Sequence, residues 1–328
     1  MIYSSKNGKI IYILEVIILK DLIQLNSYPI KNVLKTLLKD KTTNRNIIWA
    51  TNSYEEYGSE YRDTKEITYN SLVGLNPILI QPRILKTMEQ QQERTKNKAE
   101  VFTPAWICNM MNNHCDEEWF GEKDIFNTMY EDKWKSNKGA IKFSKGKSWK
   151  KYVDSCRLEI TCGEAPFIVS RYDSSTGDTI ELLDRIGLLD RKLRIVNENI
   201  NEFKEWYKWT VRAFESVYGY EFQGDNLLIA RINLLLTFLD NYIFKWSKNP
   251  SEDELKRIGN IISWNIWQMD GLKKTVPLGV IKIEDQMNIF EFLNTEENSD
   301  KDDVEIKCKI RDWRHNKTIL FENMEGVK

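Results

Sequence analysis

The chain has 328 residues, 48 Lys and Arg against 49 Asp and Glu for a net charge of −1, and 41% hydrophobic residues. That length holds two domains or one large one and can bury a sizeable core, while eleven Trp, fourteen Tyr and thirteen Phe exclude a disordered chain, which would be aromatic-poor. The charge balance excludes a globally basic nucleic-acid coat, but not a local basic groove, because what matters is where the charge sits.

The five cysteines are scattered, odd in number and without a CxxC, which fits a reducing cytosol better than a disulfide framework. The most apolar N-terminal run, residues 10–19, is too short to span a bilayer and contains Glu15. No small-residue cleavage site follows it. Residues 10–25 therefore read as a buried helix or strand of a soluble, cytoplasmic protein that has no membrane partner.

Residues 1–95 form a first, mostly helical block. Residues 32–38 look helical, 39–46 a polar turn and 47–51 a short strand. The run EQQQERTKNK at 89–98 marks a linker or the exposed start of a helix; a solvated face explains it, and a basic segment contacting a nucleic-acid backbone is the functional alternative. Thr103 as N-cap and Pro104 at the first helical position open a helix through Trp106, Ile107, Met110 and Met111. Residues 112–152 read as an irregular, aromatic insertion. A strand at 157–162 is broken at Gly163, and a new element begins at Phe167. One helix is expected over 197–216, a strand over 217–222, a long apolar helix over 226–246 and a third strand over 260–269. Strand–helix–strand–helix–strand with long crossovers implies a parallel sheet, hence an α/β fold spanning residues 96–283. Residues 284–328 are an acidic loop and a C-terminal strand region, with alternation over 304–310.

Three features fall at the carboxyl ends of these strands, where open α/β sheets bind nucleotides. Glu159, Thr161, Cys162, Gly163, Glu164, Ala165 and Pro166 form a strand end and a loop of small residues that admits close backbone approach. Glu221, followed by Phe222, ends the second strand and is placed to accept bonds from two ribose hydroxyls. Asp270, followed by Gly271, ends the third and is placed to accept from an exocyclic amine. Singly, each has a plain structural reading as a turn or a helix cap; the ordered trio is more specific.

These residues resemble the motifs of the adenine-N6 DNA methyltransferases of restriction–modification systems, in the class whose motifs run X, I, II, III, IV. Ala99-Glu100-Val101-Phe102-Thr103-Pro104 looks like motif X, which in that family lines the methionine end of S-adenosyl-L-methionine. Residues 159–167 resemble motif I, Tyr218-Gly219-Tyr220-Glu221-Phe222 motif II, and Trp267-Gln268-Met269-Asp270-Gly271-Leu272 motif III. The resemblance covers about residues 30–320. It implies a Rossmann-like methyltransferase fold, S-adenosyl-L-methionine as cofactor, and double-stranded DNA as partner. Motif I departs at Ile160, where Pro is usual, and at Ala165, where a second Gly is frequent; Ala is small enough to keep the close approach.

Motif IV is absent. In the family it is an (Asn/Asp/Ser)-Pro-Pro-(Tyr/Phe/Trp) tetrapeptide that holds the target amine and stacks on the flipped base. The seven prolines here include no adjacent pair. The resemblance also places the fourth strand, which pairs beside the first, after residues 317–322. The first strand is thus expected to have an open edge that a partner must cover. The implied protein is the cofactor-binding subunit of a split methyltransferase, with a second polypeptide carrying motif IV and target recognition. Its chemistry is methyl displacement from the sulfonium by the adenine amine, helped by orientation and charge stabilisation and needing no metal.

Two other readings compete. A non-catalytic DNA-associated or regulatory protein could keep the fold and lose the activity. A metal-dependent nuclease is faintly suggested by Asp303, Glu305 and Lys307, although alternating charge on an exposed edge strand accounts for that string. Cys108, His114 and Cys115 match no usual zinc spacing.

Overall fold

The computed structural model describes residues 23–98, 103–281 and 304–326. Most of the apolar run at 10–25, Phe102 with the first residues of the motif X segment, and the acidic stretch up to Asp303 lie outside the described residues. In chain order the elements are α1 (Ile30–Leu37), α2 (Tyr69–Val73), α3 (Met88–Lys98), α4 (Ala105–Phe120), the hairpin β1 (Asn127–Tyr130) and β2 (Lys133–Ser136), α5 (Trp149–Asp154), β3 (Arg157–Glu159), α6 (Leu188–Asn199), α7 (Phe203–Glu215), β4 (Val217–Glu221), α8 (Gly224–Trp246), α9 (Glu252–Asn265), β5 (Ile266–Gln268), β6 (Thr275–Ile281), β7 (Val304–Lys307), β8 (Lys309–Asp312) and β9 (Lys317–Leu320).

The centre is a three-stranded parallel sheet in the order β3-β4-β5. Side chains alternate across it, as strand geometry requires. Val217 and Ile266 face a helical layer built from α6, α7, α8 and α9, and belong to the main core. Tyr218, Tyr220 and Trp267 face the other way and, with Met269, pack against Cys308 and Ile310. The hairpin β8–β9 therefore covers the second face over β4 and β5. The expected strand at 304–310 is two strands, β7 paired antiparallel with β6 and β8 paired antiparallel with β9.

α8 is long and apolar enough to cross a membrane by length and composition, yet most of it is buried inside the fold. From Gly224 to Phe238 every residue is buried. Each fully buried Leu or Ile there contributes about 1.5–3 kcal/mol. Its one basic residue in this stretch, Arg231, is fully buried; it donates to the carbonyls of Leu37, Lys39 (3.0 Å), Ser263 (3.2 Å) and Ile266 (2.7 Å). One guanidinium thus joins the end of α1 to α9 and β5, at helix C-termini where positive charge is favoured. The N-terminal block is accordingly packed into the same core, with α1 against α8 and α9.

Several elements depart from the sequence-based expectations. The helix expected over 197–216 is two, α6 and α7: Ile200 is extended, and Glu202 caps α7 by accepting from the backbone N–H of Lys204 (2.9 Å) and Glu205 (2.8 Å). The third strand expected over 260–269 is mostly α9. A capping box between Ser251 and Glu254 starts that helix and it runs to Asn265, leaving only Ile266–Gln268 for the strand. The first strand stops at Glu159, not Cys162, because Thr161 has φ +45°. The supposedly irregular 112–152 holds the rest of α4, ended by left-handed Gly121, then a β-hairpin and α5. Residues 47–51 form bridges and loop contacts but no strand. Thr103 does not cap α4: Pro104 occupies the cap position, and the Ala105 N–H donates to Asp173 Oδ2 at 2.9 Å.

Candidate functional site

β3, β4 and β5 run in one direction, so their carboxyl ends open on one rim, and there the residues singled out by the sequence meet. The loop after β3 has three left-handed residues in alternation: Thr161 (φ +45°), Gly163 (φ +53°) and Ala165 (φ +65°). Only glycine takes that conformation freely; each L-residue there costs about 1–2 kcal/mol. Strain of this kind persists only where its surroundings over-determine it, and it clusters at functional sites. Two buried carboxylates hold this loop. Glu221 accepts from the Gly163 N–H at 2.9 Å and from the Gln223 N–H at 3.1 Å. Glu159 accepts from Phe167 N–H (3.4 Å) and Ile168 N–H (3.2 Å) on the loop's far side. Burial pushes the Glu159 carboxyl well above its usual range; those two N–H groups oppose the shift and the nearby Glu221 charge adds to it.

Glu164 latches the loop to the N-terminal block. Its carboxylate accepts from the Arg83 N–H and the Tyr172 hydroxyl, both at 2.6 Å, while its carbonyl accepts from Asn233 of α8 at 3.1 Å. Cys162 is buried under the loop, its N–H donating to Tyr220 O at 2.8 Å, and burial pushes its thiol upward. A side chain at Gly219 would crowd Cys162 and Ile168, which explains the glycine in the middle of β4. Ala165 is fully buried and Pro166 half-buried, while Thr161 is exposed.

The end of β5 lies beside Glu221: Met269 N–H donates to Glu221 O at 3.0 Å. Asp270 follows and folds a tight turn, its Oδ1 accepting from the Leu272 N–H (3.0 Å) and Lys273 N–H (3.1 Å). Its Oδ2 has no partner among the described residues. Gly271 is forced by Tyr220, since a Cβ there would lie 2.8 Å from the ring. The carbonyl of half-buried Phe222 accepts from Gln268 Nε2 at 2.8 Å. Thr103 is tied to the segment that follows the loop, where Ser174 Oγ donates to its carbonyl at 3.1 Å. The structure thus joins Gly163, Glu221 and Met269, the residue before Asp270, in one run of hydrogen bonds.

A second polar cluster lies at the start of α8, outside every motif of the sequence. Fully buried Asp225 accepts from Arg94 Nη2 (3.0 Å), Lys86 Nζ (3.1 Å) and the Tyr54 hydroxyl (2.9 Å). The cations of Lys86 and Arg94 hold its carboxyl far below the usual range against the effect of burial. This cluster forms one wall of a cavity of about 590 Å³, lined among others by Asn52, Tyr54, Tyr57, Gln81, Lys86 and Arg94. No residue of the 159–166 loop lines it, nor does Glu221 or Asp270. The sequence offers one clue to the cluster, an acid in the first turn of a long helix; nothing local identifies its partners from more than a hundred residues away.

Among the described residues no group of three His, Cys, Asp or Glu side chains is placed to hold a metal ion. Cys108 is buried, whereas His114 points outward to Glu118 at 3.6 Å. Glu305 pairs with Lys273 at 2.6 Å and Lys307 with Glu322 at 3.6 Å, so the acid–lysine string belongs to surface ion pairs. The chain matches no protein-family model, no curated protein and no solved structure.

Proposed function

We propose that this chain is the S-adenosyl-L-methionine-binding subunit of a split, site-specific adenine-N6 DNA methyltransferase of a cytoplasmic restriction–modification system, its α/β sheet being the first half of a Rossmann-like methyltransferase fold. The observation that carries the reading is the convergence of the strained Gly163 loop, Glu221 and Asp270 on one rim of a parallel sheet. The residues fit the cofactor. The loop's backbone and small side chains suit close approach to the methionine end. Glu221 is a carboxylate acceptor for ribose hydroxyls, and Asp270 has Oδ2 left for an exocyclic amine. The cofactor supplies an electrophilic methyl group. The work of this chain is to bind and orient it, and orientation alone removes much of the barrier to displacement. The Gly163 loop, Glu221 and Asp270 would hold the cofactor while its methyl group passes to the adenine amine, leaving a neutral thioether, and the amine's proton passes to water.

The proposed partner would pair with β3. Its outer edge is unpaired among the described residues. The register Leu158↔Tyr218 puts Leu158 on the face that β8–β9 covers over β4 and β5, yet Leu158 is 39% exposed and Ile160 63%. An open central edge with apolar flanks calls for a covering strand. A partner polypeptide beginning with that strand and carrying the (Asn/Asp/Ser)-Pro-Pro-aromatic tetrapeptide completes both sheet and active site.

The reading is tested by co-expressing the chain with a gene neighbour that carries the tetrapeptide, and following labelled methyl transfer to duplex DNA. Transfer to adenine N6 by the pair, and by neither chain alone, is expected. A stable pair that binds the cofactor without methylating DNA contradicts it. That outcome favours the second reading, a non-catalytic DNA-associated or regulatory protein, which draws on the fact that Glu221 and Asp270 already bond backbone of the loops around them.

A further inference from the structure

The chain is nearly neutral overall, yet residues 133–151 hold eight lysines, Lys133, Lys135, Lys138, Lys142, Lys145, Lys147, Lys150 and Lys151, and no acidic residue. Two acids of the hairpin turn, Glu131 and Asp132, come just before the run. Like-charged blocks are often extended arms. This one is pinned to the fold between its lysines. Trp134 Nε1 donates to Asp184 O (2.9 Å), Arg194 Nη2 to Asn137 O (2.6 Å) and Gly139 O (3.1 Å), and Ile141 N–H to Glu198 Oε2 (2.9 Å). Ser148 then caps α5. In β2, Lys133 and Lys135 alternate with Trp134 and face solvent. Lys147 lies over the Trp119 ring at 5.6 Å, and Lys150 lies over the adjoining rings of Trp149 and Trp209 at 5.5 and 5.4 Å.

Elsewhere on this surface some exposed cations pair with carboxylates, such as Arg45 with Glu66, Arg62 with Glu55, Lys208 with Glu205 and Lys256 with Glu252. Others such as Lys31, Lys65 and Lys204 stand singly among the described residues; this run differs in gathering eight lysines with no acid among them. Among the described residues none of the eight lysines is in an ion pair, and seven of them are exposed. Such lysines, on a segment tied to the fold at Trp134, Asn137 and Ile141, are complementary to a polyanion, whose condensed counterions they would release.

We propose that the strip formed by β2, the segment 137–148 and α5 is a docking surface for the phosphate backbone of duplex DNA. The choice of DNA among polyanions rests on the methyltransferase reading. Lysines contacting phosphate fix position and carry no sequence information, so the strip would hold the duplex while recognition lies elsewhere.

The test is fluorescence anisotropy of the full chain with a labelled duplex of about 30 base pairs, across salt from about 50 to 200 mM. One variant carries Lys133→Gln, Lys135→Gln, Lys142→Gln, Lys145→Gln and Lys150→Gln. A control of equal charge change carries Lys31→Gln, Lys65→Gln, Lys204→Gln, Lys256→Gln and Lys317→Gln. A lighter variant, Lys142→Gln with Lys145→Gln, alters only exposed side chains and guards against misfolding of the first. The five-residue strip variant should lose affinity by more than about tenfold and the lighter one by less, with the log–log salt slope shallower by about 0.9 for each phosphate that is no longer neutralised. The control should match wild type, and cofactor binding should be the same in all. Strip variants indistinguishable from wild type, a control that loses as much, or equal competition by polyglutamate would overturn the proposal. Cofactor binding measured in parallel separates the two readings: its loss with lysine-dependent DNA binding intact sinks the methyltransferase, not the surface.

Discussion

Ala165 has φ +65° in a loop that also contains left-handed Thr161 and Gly163. Smallness is therefore only part of what this position demands, since glycine alone adopts that conformation without strain. Ala165→Gly is expected to raise stability by about 1 kcal/mol in chemical denaturation; a loss of stability would show that the Ala165 methyl, fully buried, matters more than the strain. Glu159 offers a pH-dependent check. Its carboxyl is raised above the ordinary 4.5 by burial, so the folded state keeps the proton to higher pH than the unfolded chain does. Its contribution to stability is fully present below about 4.5 and is lost as pH rises through the folded value. Glu159→Gln removes that loss, so the variant should gain on wild type as melts move from about pH 4 to about pH 8. A constant gap across that range would contradict the assignment. Arg231, pushed down to about 10 by burial and drawn back up by Asp40 and Cys162, serves carbonyls from four residues. Arg231→Met should cost at least about 3 kcal/mol, because those buried carbonyls lose charged donors.

At the scale of elements, what could be read from the chain depended on whether a local signal competed with a stronger one nearby. The helix at 30–37, β4 and α8 were legible because their apolar patterning has one interpretation. The β-rich run at 260–269 misled because Ile261, Ile262, Ile266 and Trp267 suit a strand equally well. The signal that decides is the Ser251–Glu254 capping box at the start of the helix. Likewise the boundary between α6 and α7 is set by Glu202 acting as a cap, a role for which Glu is an uncommon choice. β3 bears the prediction of this scale. Lysine at Leu158 and Ile160, both partly or largely exposed, should leave the melting temperature of this chain within a few degrees and abolish its co-purification with the completing partner. Unimpaired assembly would place the interface away from that edge.

For the whole molecule, the order of strand ends around the rim was legible from the spacing of Glu159, Gly163, Glu221 and Asp270, because a parallel sheet converts that order into neighbourhood. The embrace of the loop by the N-terminal block was not. Arg83 on Glu164, and Lys86 and Arg94 on Asp225, bridge stretches of 81, 139 and 131 residues that no local pattern announces. The same holds for the cover of β4 and β5 by a C-terminal hairpin. The measurement that bears most directly on this architecture is a calorimetric titration of the purified chain with S-adenosyl-L-methionine, beside Glu221→Ala and Asp270→Ala and repeated with the completing partner. Saturable one-to-one binding that Glu221→Ala abolishes and Asp270→Ala weakens is the expected result. A folded chain that takes up no cofactor, alone or with its partner, would contradict the assignment of the rim as a cofactor site.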